Sequence, residues 1–559
     1  MMKKISITII GSLALLIMLP SCKNNQNNEK VVSNNYLTGY WYGDFAPDTS
    51  MNLIFYFWQE DSALTGSMFV VKKDSIEDHS TFKNINVEGN SINFSISSYD
   101  ILFKGKINQN DNLLNGNASS IKINLSKVEE NQIAAYKKIR SVCNPIKFNK
   151  QIEVNKLKGD LISLKELLEG NHPQLYTFLD KDKFDGIFDH AINEIDKKMT
   201  IVEFMRITKP LVTQIKCGHT EMNYSEDFMN EIKEYGESMP LKVKIIKNKA
   251  YIIENLSDNQ DVSVGDEILS INSMSINEII KKLKTYFSSD AFNESHKIYK
   301  INLNFSFAYN YIESPENFNL QVKKSDNSII QTSLKAKKNN LLFDEIYSHN
   351  IPEFPFKFKI LNDEIAYFKI YSFKYSDFNK YKAFIDSSFN QIKSNSITKS
   401  IIDLRGNFGG DPNYSSYLLR YVINKPFVYF SENAENYPGL STELKPNDNV
   451  FTGNVKFLTD GACFSTTGHF LSLIKYYKIG EIIGEEPGGS FSCNDNSKLF
   501  TLSNSHLKVN IARKTIQTDV EGMQTGYQIK PDYEVIPKIQ DVLEAKDVQL
   551  EYAINRFLN

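Results

Sequence analysis

Residues 455–470 read VKFLTDGACFSTTGHF, a short apolar strand that runs into a helix at Ser465. Ser and Thr are common at helix starts, because a side-chain oxygen there accepts a hydrogen bond from an otherwise unpaired backbone N–H. Ser465 is therefore either a helix cap or a nucleophile. A serine hydroxyl is a poor nucleophile alone, so the second role requires a base and donors for an oxyanion elsewhere in the chain.

The stretch lies in a region, residues 341–559, where apolar strands alternate with helical patterns. Strands are predicted at EIAYFKIYSF, SIIDL, VKFLT and EIIGE. SIIDL, residues 400–404, is nearly all apolar and is therefore predicted to be buried on both faces of a sheet. The alternation predicts an α/β core with parallel strand pairs, and such folds usually place their sites in loops at the strand ends.

Three further units are predicted before this core, which makes the chain a multidomain α+β protein. Residues 36–128 contain short alternating runs broken by Gly, Asn and Asp, which predict an antiparallel β meander or small barrel. Trp41 and Trp58 fall there and are predicted to belong to its core. Residues 129–235 have helical periodicity, and residues 236–340 return to strands and turns with one helix.

The clearest helix of the helical region begins at Thr200. Thr200 and Glu203 have capping-box spacing, and apolar residues follow at steps of three and four. Pro210 is predicted to kink this helix or to divide it in two. Gly218 suits a left-handed position after the helix, so His219 is predicted to leave the helix on a turn.

The first residues, MMKKISITIIGSLALLIMLPSC, predict export. Two lysines precede an uncharged apolar run that is too short for a membrane span, which needs roughly 20 residues. The ending LPSC resembles a bacterial lipobox, in which Cys22 is acylated; a plain signal peptide with a chance cysteine is the alternative. We expect a signal peptide at 1–22, a polar tether at 23–35, and a chain that is lipid-anchored to the bacterial cell envelope, at the outer membrane.

The charges of the chain argue against nucleic acid as a partner. Its 559 residues carry 64 basic and 67 acidic side chains, a net charge of −3, and so offer no positive surplus to a phosphate backbone. The cysteines after Cys22 are Cys143, Cys217, Cys463 and Cys493. They are too scattered for a disulfide scaffold, although one pair could form in an oxidising compartment. No Cys/His spacing suggests a metal, and we expect no cofactor.

A glycine-rich turn, RGNFGGD at residues 405–411, directly follows SIIDL. Such a turn can point backbone N–H groups at a ligand. By itself it could equally be a phosphate loop or an ordinary tight turn. The absence of a GKS or GKT ending argues against a nucleotide.

Taken together, the motifs IIDLRGNFGGD, GACFSTTGHF, IIGEEPGGSFS and QIKPD resemble, in this order, the core of the C-terminal-processing and tricorn-type serine peptidase family. The resemblance implies a crotonase/Clp-protease-like catalytic core. It extends from roughly residue 150 to the end, because the helical segment ending in GHT also matches. The run VGDEILSIN, residues 264–272, resembles PDZ domains, which often accept peptide ends as an added strand; a non-binding spacer is the alternative.

The family resemblance implies roles for the residues at matching positions. Ser465 matches the nucleophile, and His219 matches the base of the tricorn-like branch. Histidine suits this task because its ordinary pKa lies near neutrality. The backbone N–H groups of Gly409, Gly410 and Thr466 would form the oxyanion hole, where the loss of one donor commonly costs about 10²–10³ in rate.

Other candidates for the base fit less well. The processing-peptidase branch uses a lysine in the loop after the nucleophile's helix, where this chain has Gly488–Ser490 and no lysine before Lys498. His469 lies one helical turn beyond Ser465 and should lean along the helix rather than over the hydroxyl. His172 precedes a proline and is interpreted as structural.

An acidic residue near the last strand is implied as the group that orients the histidine. Asp519 and Glu521 lie in that region, and Glu521 is the slightly preferred candidate. The position three after Ser465, often Glu in the family, is Gly468 here.

We therefore expect a serine endopeptidase that hydrolyses exported or envelope polypeptides through an acyl-enzyme on Ser465, with His219 as base. Two alternatives stay open. One is a catalytically inactive peptide-binding lipoprotein of the same fold, which the altered residues Gly468 and Ser490 would suit. The other is a serine–lysine hydrolase that uses Lys498.

Overall fold

The computed structural model divides the chain into two compact units, residues 1–146 and 147–559. The residues that it describes are 34–45, 50–60, 63–73, 75–97, 101–133, 135, 139, 149–342, 351–431 and 437–558. The expected signal peptide, most of the expected tether, Cys22 and Cys143 lie outside the described residues.

The first unit is built on a closed barrel of eight antiparallel strands. The barrel closes because β1 pairs with both β2 and β8, and Tyr40 stands opposite Val128. After a short helix α1, Asn34–Leu37, the strands are Gly39–Asp44 (β1), Asn52–Glu60 (β2), Ala63–Lys72 (β3), Ser75–Glu88 (β4), Ser91–Ile96 (β5), Ile101–Asn108 (β6), Leu113–Ala118 (β7) and Ile121–Val128 (β8).

Aromatic side chains fill the barrel. Alternate residues of all the strands point inward and form one buried cluster, in which the Phe94 ring lies 4.0 Å from that of Phe82 and 4.8 Å from that of Phe103. Trp41 is fully buried in this cluster, while Trp58 packs partly buried against a second cluster with Tyr56. The predicted small β domain with an aromatic core is confirmed for Trp41, whereas Trp58, also predicted in the core, lies outside the cluster that fills the barrel.

Helices open the second unit. Thr200 forms both bonds of the predicted capping box with Glu203. The helix runs through Pro210 without division, because only one turn follows the proline and few backbone bonds are lost there. The helices of this region are Val154–Asn171 (α2), Lys181–Glu194 (α3), Ile201–Thr213 (α4) and Glu226–Tyr235 (α5).

The PDZ-like unit is an antiparallel sheet with strand order β11-β12-β13-β15-β16, and β14 pairs with β13. Its helices pack on a common apolar cluster with the sheet. Its elements, with the short pair β10 and β17, are Glu237–Ser238 (β10), Leu241–Ile246 (β11), Lys249–Asn255 (β12), Glu267–Ile271 (β13), Met274–Ser275 (β14), Ile276–Lys284 (α6), Ser295–Leu303 (α7), Phe305–Tyr309 (α8), Asn317–Lys323 (β15), Ile329–Lys335 (β16) and Lys337–Lys338 (β17).

The C-terminal core contains a sheet of order β18-β19-β20-β21-β22-β27, in which β18 and β19 are antiparallel and the remaining pairs are parallel. Apolar clusters cover both faces, and the SIIDL strand is buried as predicted. Its elements are Phe356–Leu361 (β18), Ile365–Ile370 (β19), Phe378–Ser394 (α9), Lys399–Asp403 (β20), Pro412–Leu419 (α10), Asn454–Thr459 (β21), Thr466–Tyr477 (α11), Glu481–Gly484 (β22) and Tyr533–Glu534 (β27), followed by Ile539–Leu543 (α12) and Val548–Asn555 (α13).

Two small sheets project from this core, and one of them reaches the helical region. In it, β25 pairs with β24 and also with the short strand β9, so that Met222 stands opposite Val509. The residues directly after His219 are thereby paired with a strand far along the chain. The elements are Glu221–Asn223 (β9), Ser492–Asp495 (β23), Lys498–Thr501 (β24), Lys508–Ile511 (β25) and Lys514–Gln517 (β26).

Within the described residues, no helix combines the length and the apolar character that a membrane crossing requires.

Phe94→Ala should destabilise the barrel by about 3–5 kcal/mol, because it removes a fully buried ring and leaves a cavity. Leu102→Ala is the matched control, since Leu102 is 46% exposed, and should change stability by less than about 0.5 kcal/mol. Both tryptophans of the chain lie in the barrel, so urea unfolding followed by tryptophan fluorescence reports on this unit. Equal unfolding midpoints for the two variants would contradict the packed interior.

Candidate active site

Ser465 lies at the sharp turn between β21 and α11. Its φ of +54° is a left-handed conformation that few residues with a side chain adopt, and such strain is concentrated at functional sites. The side chain makes no capping bond to the helix. Instead, Ser465 Oγ lies 3.1 Å from Nε2 of His219, a residue 246 positions earlier in the chain. The hydroxyl is therefore held by an imidazole and does not cap the helix.

His219 reaches this place by a tight turn after α4. The left-handed residue of the turn is Lys216, with φ +58°, and not Gly218 as predicted. Glycine is required at 218 for close approach, because a Cβ there would stand 2.5 Å from the ring of Phe464. The prediction of a turn was correct, but the physical reason for the glycine was wrong.

Contacts on several sides hold His219. Its backbone carbonyl accepts bonds from Asn510 Nδ2 at 3.0 Å and from Ser497 Oγ at 3.2 Å. Its ring stacks on Phe464 at 4.7 Å between centroids, and the other neighbour stacked on Phe464 is His296, at 4.3 Å. This packing leaves the His219 ring little freedom to turn away from the serine.

Two backbone N–H groups beside Ser465 are available to a ligand. Among the described residues, those of Gly410 and Thr466 have no acceptor, whereas the N–H of Gly409 donates to Asn407 Oδ1 at 2.9 Å. Thr466 Oγ1 also donates to the Gly410 carbonyl at 2.5 Å and so ties the glycine turn to the start of α11. Of the three expected oxyanion donors, this geometry favours Gly410 and Thr466 and engages Gly409 elsewhere.

Charged groups anchor the base of the glycine turn. Arg405 donates to both carboxylate oxygens of Asp403 and to both of Asp547, which precedes α13. Burial alone would raise the pKa of Asp403, but its bonds with Arg405 outweigh that effect and hold the pKa below its ordinary value. The carboxylate of Asp460 accepts from the N–H of Gly406 at 3.0 Å. The turn is thus fixed from the C-terminal helix and from the nucleophile's own loop.

The acidic group beside His219 differs from the expected one. Glu521 and Asp519 are exposed, and within the described part of the chain neither makes a hydrogen bond or ion pair with His219. The carboxylates that lie near are Asp290, whose Oδ1 accepts from the N–H of Gly218 at 2.7 Å, and Asp495, whose Oδ1 lies 4.0 Å from His219 Nε2. Neither carboxylate was predicted from the sequence, because neither belongs to a recognisable motif.

The alternative bases lie elsewhere. His469 is buried beside Cys493, with its Nε2 3.4 Å from the sulfur, and burial lowers its pKa to about 4. Lys498 is exposed, with its Nζ over the ring of Phe500. His172 is buried, and its Nδ1 accepts from the backbone of Gln174.

The two departures from the family pattern have packing reasons. A Cβ on Gly468 would stand 2.5 Å from the carbonyl carbon of Gly489, so the loop of Gly488–Ser490 lies directly against the first turn of α11. Ser490 Oγ donates to the carbonyl of Tyr527 at 2.6 Å. Gly468 and Ser490 therefore each form a contact that holds the loop of Gly488–Ser490 in place.

A small cleft lies close to the nucleophile turn, although neither Ser465 nor His219 lines it. Gly489 lines it and lies against Ser465, while Phe178, Phe491 and Tyr527 supply apolar walls. In the described part of the chain, no cluster of His, Cys, Asp and Glu could hold a metal ion. Cys217, Cys463 and Cys493 are free and buried.

Comparison with known proteins assigns two regions of the chain to known families. Residues 364–535 match the model of peptidase family S41, and residues 235–365 match a PDZ domain. The chain therefore carries a peptidase family S41 region preceded by a PDZ domain, and the resemblance drawn from its motifs is confirmed. No curated protein sequence matches the chain significantly.

Solved structures of mature CPAF share the fold. The crystal structure of mature CPAF matches with a TM-score of 0.52 and 12% identity, covering 72% of this chain and 96% of that one. The structure of mature CPAF complexed with lactacystin matches with a TM-score of 0.53 and 12% identity, covering 72% and 97%. The photosystem II D1 C-terminal processing protease matches with a TM-score of 0.35 and 11% identity, covering 69% and 96%. At 12% identity the likeness to CPAF concerns the fold alone.

Gly468→Ala should lower stability by about 1–3 kcal/mol, because the added methyl group forces the backbone of Gly489 away from α11. Gly186→Ala is the matched control: it lies inside α3 with open space around it, and should stabilise by roughly 0.5–1 kcal/mol. Thermal unfolding followed by circular dichroism measures both changes. A Gly468→Ala protein as stable as the control would show that the contact is not tight.

Proposed function

We propose that this chain is a serine endopeptidase that hydrolyses exported or envelope polypeptides. The observation that carries the proposal is the 3.1 Å contact between Ser465 Oγ and His219 Nε2. It stands beside the backbone N–H groups of Gly410 and Thr466, which have no acceptor within the described residues, and close to a small cleft. A base, a hydroxyl and oxyanion donors in one place are the parts that acyl transfer needs.

In the proposed reaction, His219 Nε2 takes the proton of Ser465 as the hydroxyl oxygen attacks a peptide carbonyl carbon. The N–H groups of Gly410 and Thr466 then donate to the oxyanion of the tetrahedral intermediate. His219 returns the proton to the leaving amine, and an acyl-enzyme ester remains on Ser465. Water, activated by the same imidazole, releases the acyl group and restores the serine.

The cleft next to Ser465 supports a polypeptide as substrate. Its aromatic walls suit an apolar side chain, and Lys216 and Asp290 place opposite charges on its lining.

In the PDZ unit, helices restrict which edge of the sheet a peptide could join as an added strand. Strand addition needs a free sheet edge, but Asn302 on α7 bonds both the N–H and the carbonyl of Ile245 on β11, and Ser306 on α8 donates to the carbonyl of Leu241. Helices therefore cover the β11 edge. A peptide that adds as a strand would use β16 at the opposite edge of the sheet.

We also propose that acylation of Cys22 holds the protein at the cell envelope. The support is the apolar run followed by LPSC, and the polar segment after it would serve as a tether. Cys22→Ser should move the protein from the membrane fraction to the soluble fraction without changing its fold. Retention of the variant in the membrane fraction would contradict the anchor.

Labelling with a fluorophosphonate probe tests the nucleophile and the base. We expect stoichiometric labelling of wild type, none of Ser465→Ala, and a rate about 10²–10⁴-fold lower for His219→Ala, since general-base catalysis contributes that much. His190→Ala is the matched histidine control, because the His190 side chain is 73% exposed on α3. Peptide turnover, measured on an unfolded polypeptide, should follow the same order.

Three results would reject or redirect the proposal. Absence of both labelling and turnover in wild type would favour the catalytically inactive peptide-binding lipoprotein. Labelling that survives in Ser465→Ala would exclude this nucleophile. Loss of labelling in Lys498→Ala, with retention in His219→Ala, would favour a serine–lysine hydrolase.

A further inference from the structure

The second ring nitrogen of His219 lacks a hydrogen-bond partner in the described part of the chain. Nε2 faces Ser465, while Nδ1 is shielded from solvent and has no hydrogen-bond partner among the described residues. When Nε2 accepts the serine proton, Nδ1 must carry a hydrogen and donate it. A buried donor without an acceptor costs free energy, so this nitrogen requires a partner.

Asp290 supplies an acceptor of matching kind. It lies in the loop between α6 and α7, and its Oδ1 accepts from the N–H of Gly218, the residue before His219, at 2.7 Å. Its Oδ2 is shielded from solvent and, within the described chain, has no partner either. Within the described chain, a buried donor and a buried acceptor without partners therefore belong to two segments that the bond from Gly218 to Asp290 joins.

We propose that Asp290 is the positioning residue of His219: its Oδ2 holds the Nδ1–H through one bridging water, and its charge stabilises the imidazolium formed during the reaction. This inference rests on the proposed function. No direct hydrogen bond joins the two atoms within the described chain, and one water has enough donors and acceptors to join them. Because Asp290 also fixes the peptide before His219, the same carboxylate orients the backbone and the ring.

Other charged groups around the ring are less suited to this role. Asp495 lies 4.0 Å from Nε2, on the side of the serine, and its side chain is 42% exposed, so solvent screens its charge. His296 and His469 face the site from α7 and α11, but burial lowers the pKa of His296 to about 3 and that of His469 to about 4. Both are neutral at the pH at which a histidine base works.

The sign of the pH effect follows from the charge of Asp290. A neighbouring carboxylate favours the protonated imidazole, so its removal lets His219 lose its proton at lower pH. Burial raises the pKa of Asp290 itself, and the nearby His219 and the N–H of Gly218 oppose this rise. Neutralising Asp290 should therefore move the acid limb of the activity profile to lower pH while it slows the reaction.

The test compares Asp290→Asn, Asp290→Ala and Asp495→Asn in the full chain. Asparagine keeps an oxygen that can accept from Gly218 but removes the charge, whereas alanine removes both. The first measurement is the rate at which diethyl pyrocarbonate modifies His219 at each pH, resolved by peptide mass spectrometry, which needs no turnover. The second is the rate of fluorophosphonate labelling, and the third is the melting temperature.

We expect the pH of half-maximal His219 modification to fall in both Asp290 variants and by clearly less in Asp495→Asn. Labelling should slow at least tenfold in Asp290→Asn, although its melting temperature stays near that of wild type. The Ala variant should in addition melt at a lower temperature, because Gly218 loses its acceptor.

An unchanged modification profile in Asp290→Asn, or a larger shift in Asp495→Asn, would overturn the inference and leave Asp290 as a clamp for the Gly218 peptide. The two proposals can fail separately. If wild type is not labelled but Asp290→Asn still shifts the His219 profile, the positioning role stands and the peptidase proposal fails. If wild type is labelled and the profile does not shift in Asp290→Asn, the peptidase proposal stands and the positioning role fails.

Discussion

The site depends on one pairing between distant parts of the chain. Strand β9, directly after His219, pairs with β25, and the carbonyl of His219 accepts bonds from Asn510 on β25 and from Ser497 beside β24. These bonds bring a segment of the helical region onto the C-terminal core. Without them, nothing along the local chain would carry an imidazole to Ser465, since closing so long a loop has an entropic cost that only tertiary contacts offset.

Glycines shape the other half of the site by permitting close contact. Gly409 lies against Ser465 and Phe464, and Gly468 lies against the loop that contains Gly489. Any side chain at these positions would push apart the turn, the helix start and the loop that surround the nucleophile. Charge-assisted hydrogen bonds from Arg405 to Asp403 and to Asp547 then hold the base of the glycine turn. Packing accounts for Gly468 and Ser490 in an active and in an inactive protein of this fold alike.

The acidic group near His219 is not the one expected from the family pattern, although Ser465 and His219 lie in contact. The acidic group expected near the last strand is exposed, whereas Asp290 comes from the loop between α6 and α7 of the PDZ unit. The PDZ unit thus contributes to the candidate site through this loop. Helices α7 and α8 both cover β11 and continue from that loop, which couples the packing of this unit to the position of the histidine.

The sequence by itself predicted the β-rich unit and the α/β core, and it singled out Ser465 and His219 as the candidate nucleophile and base. It could do so because periodicity, turn residues and ordered motifs are local properties of the chain. It also indicated the glycine turn. Only the tertiary structure decided that Gly409 donates to Asn407, that Glu521 stays exposed, and that Asp290 lies beside the histidine. Each of those outcomes depends on the direction of one N–H or one side chain across a packed interface, and no pattern along the chain encodes that direction.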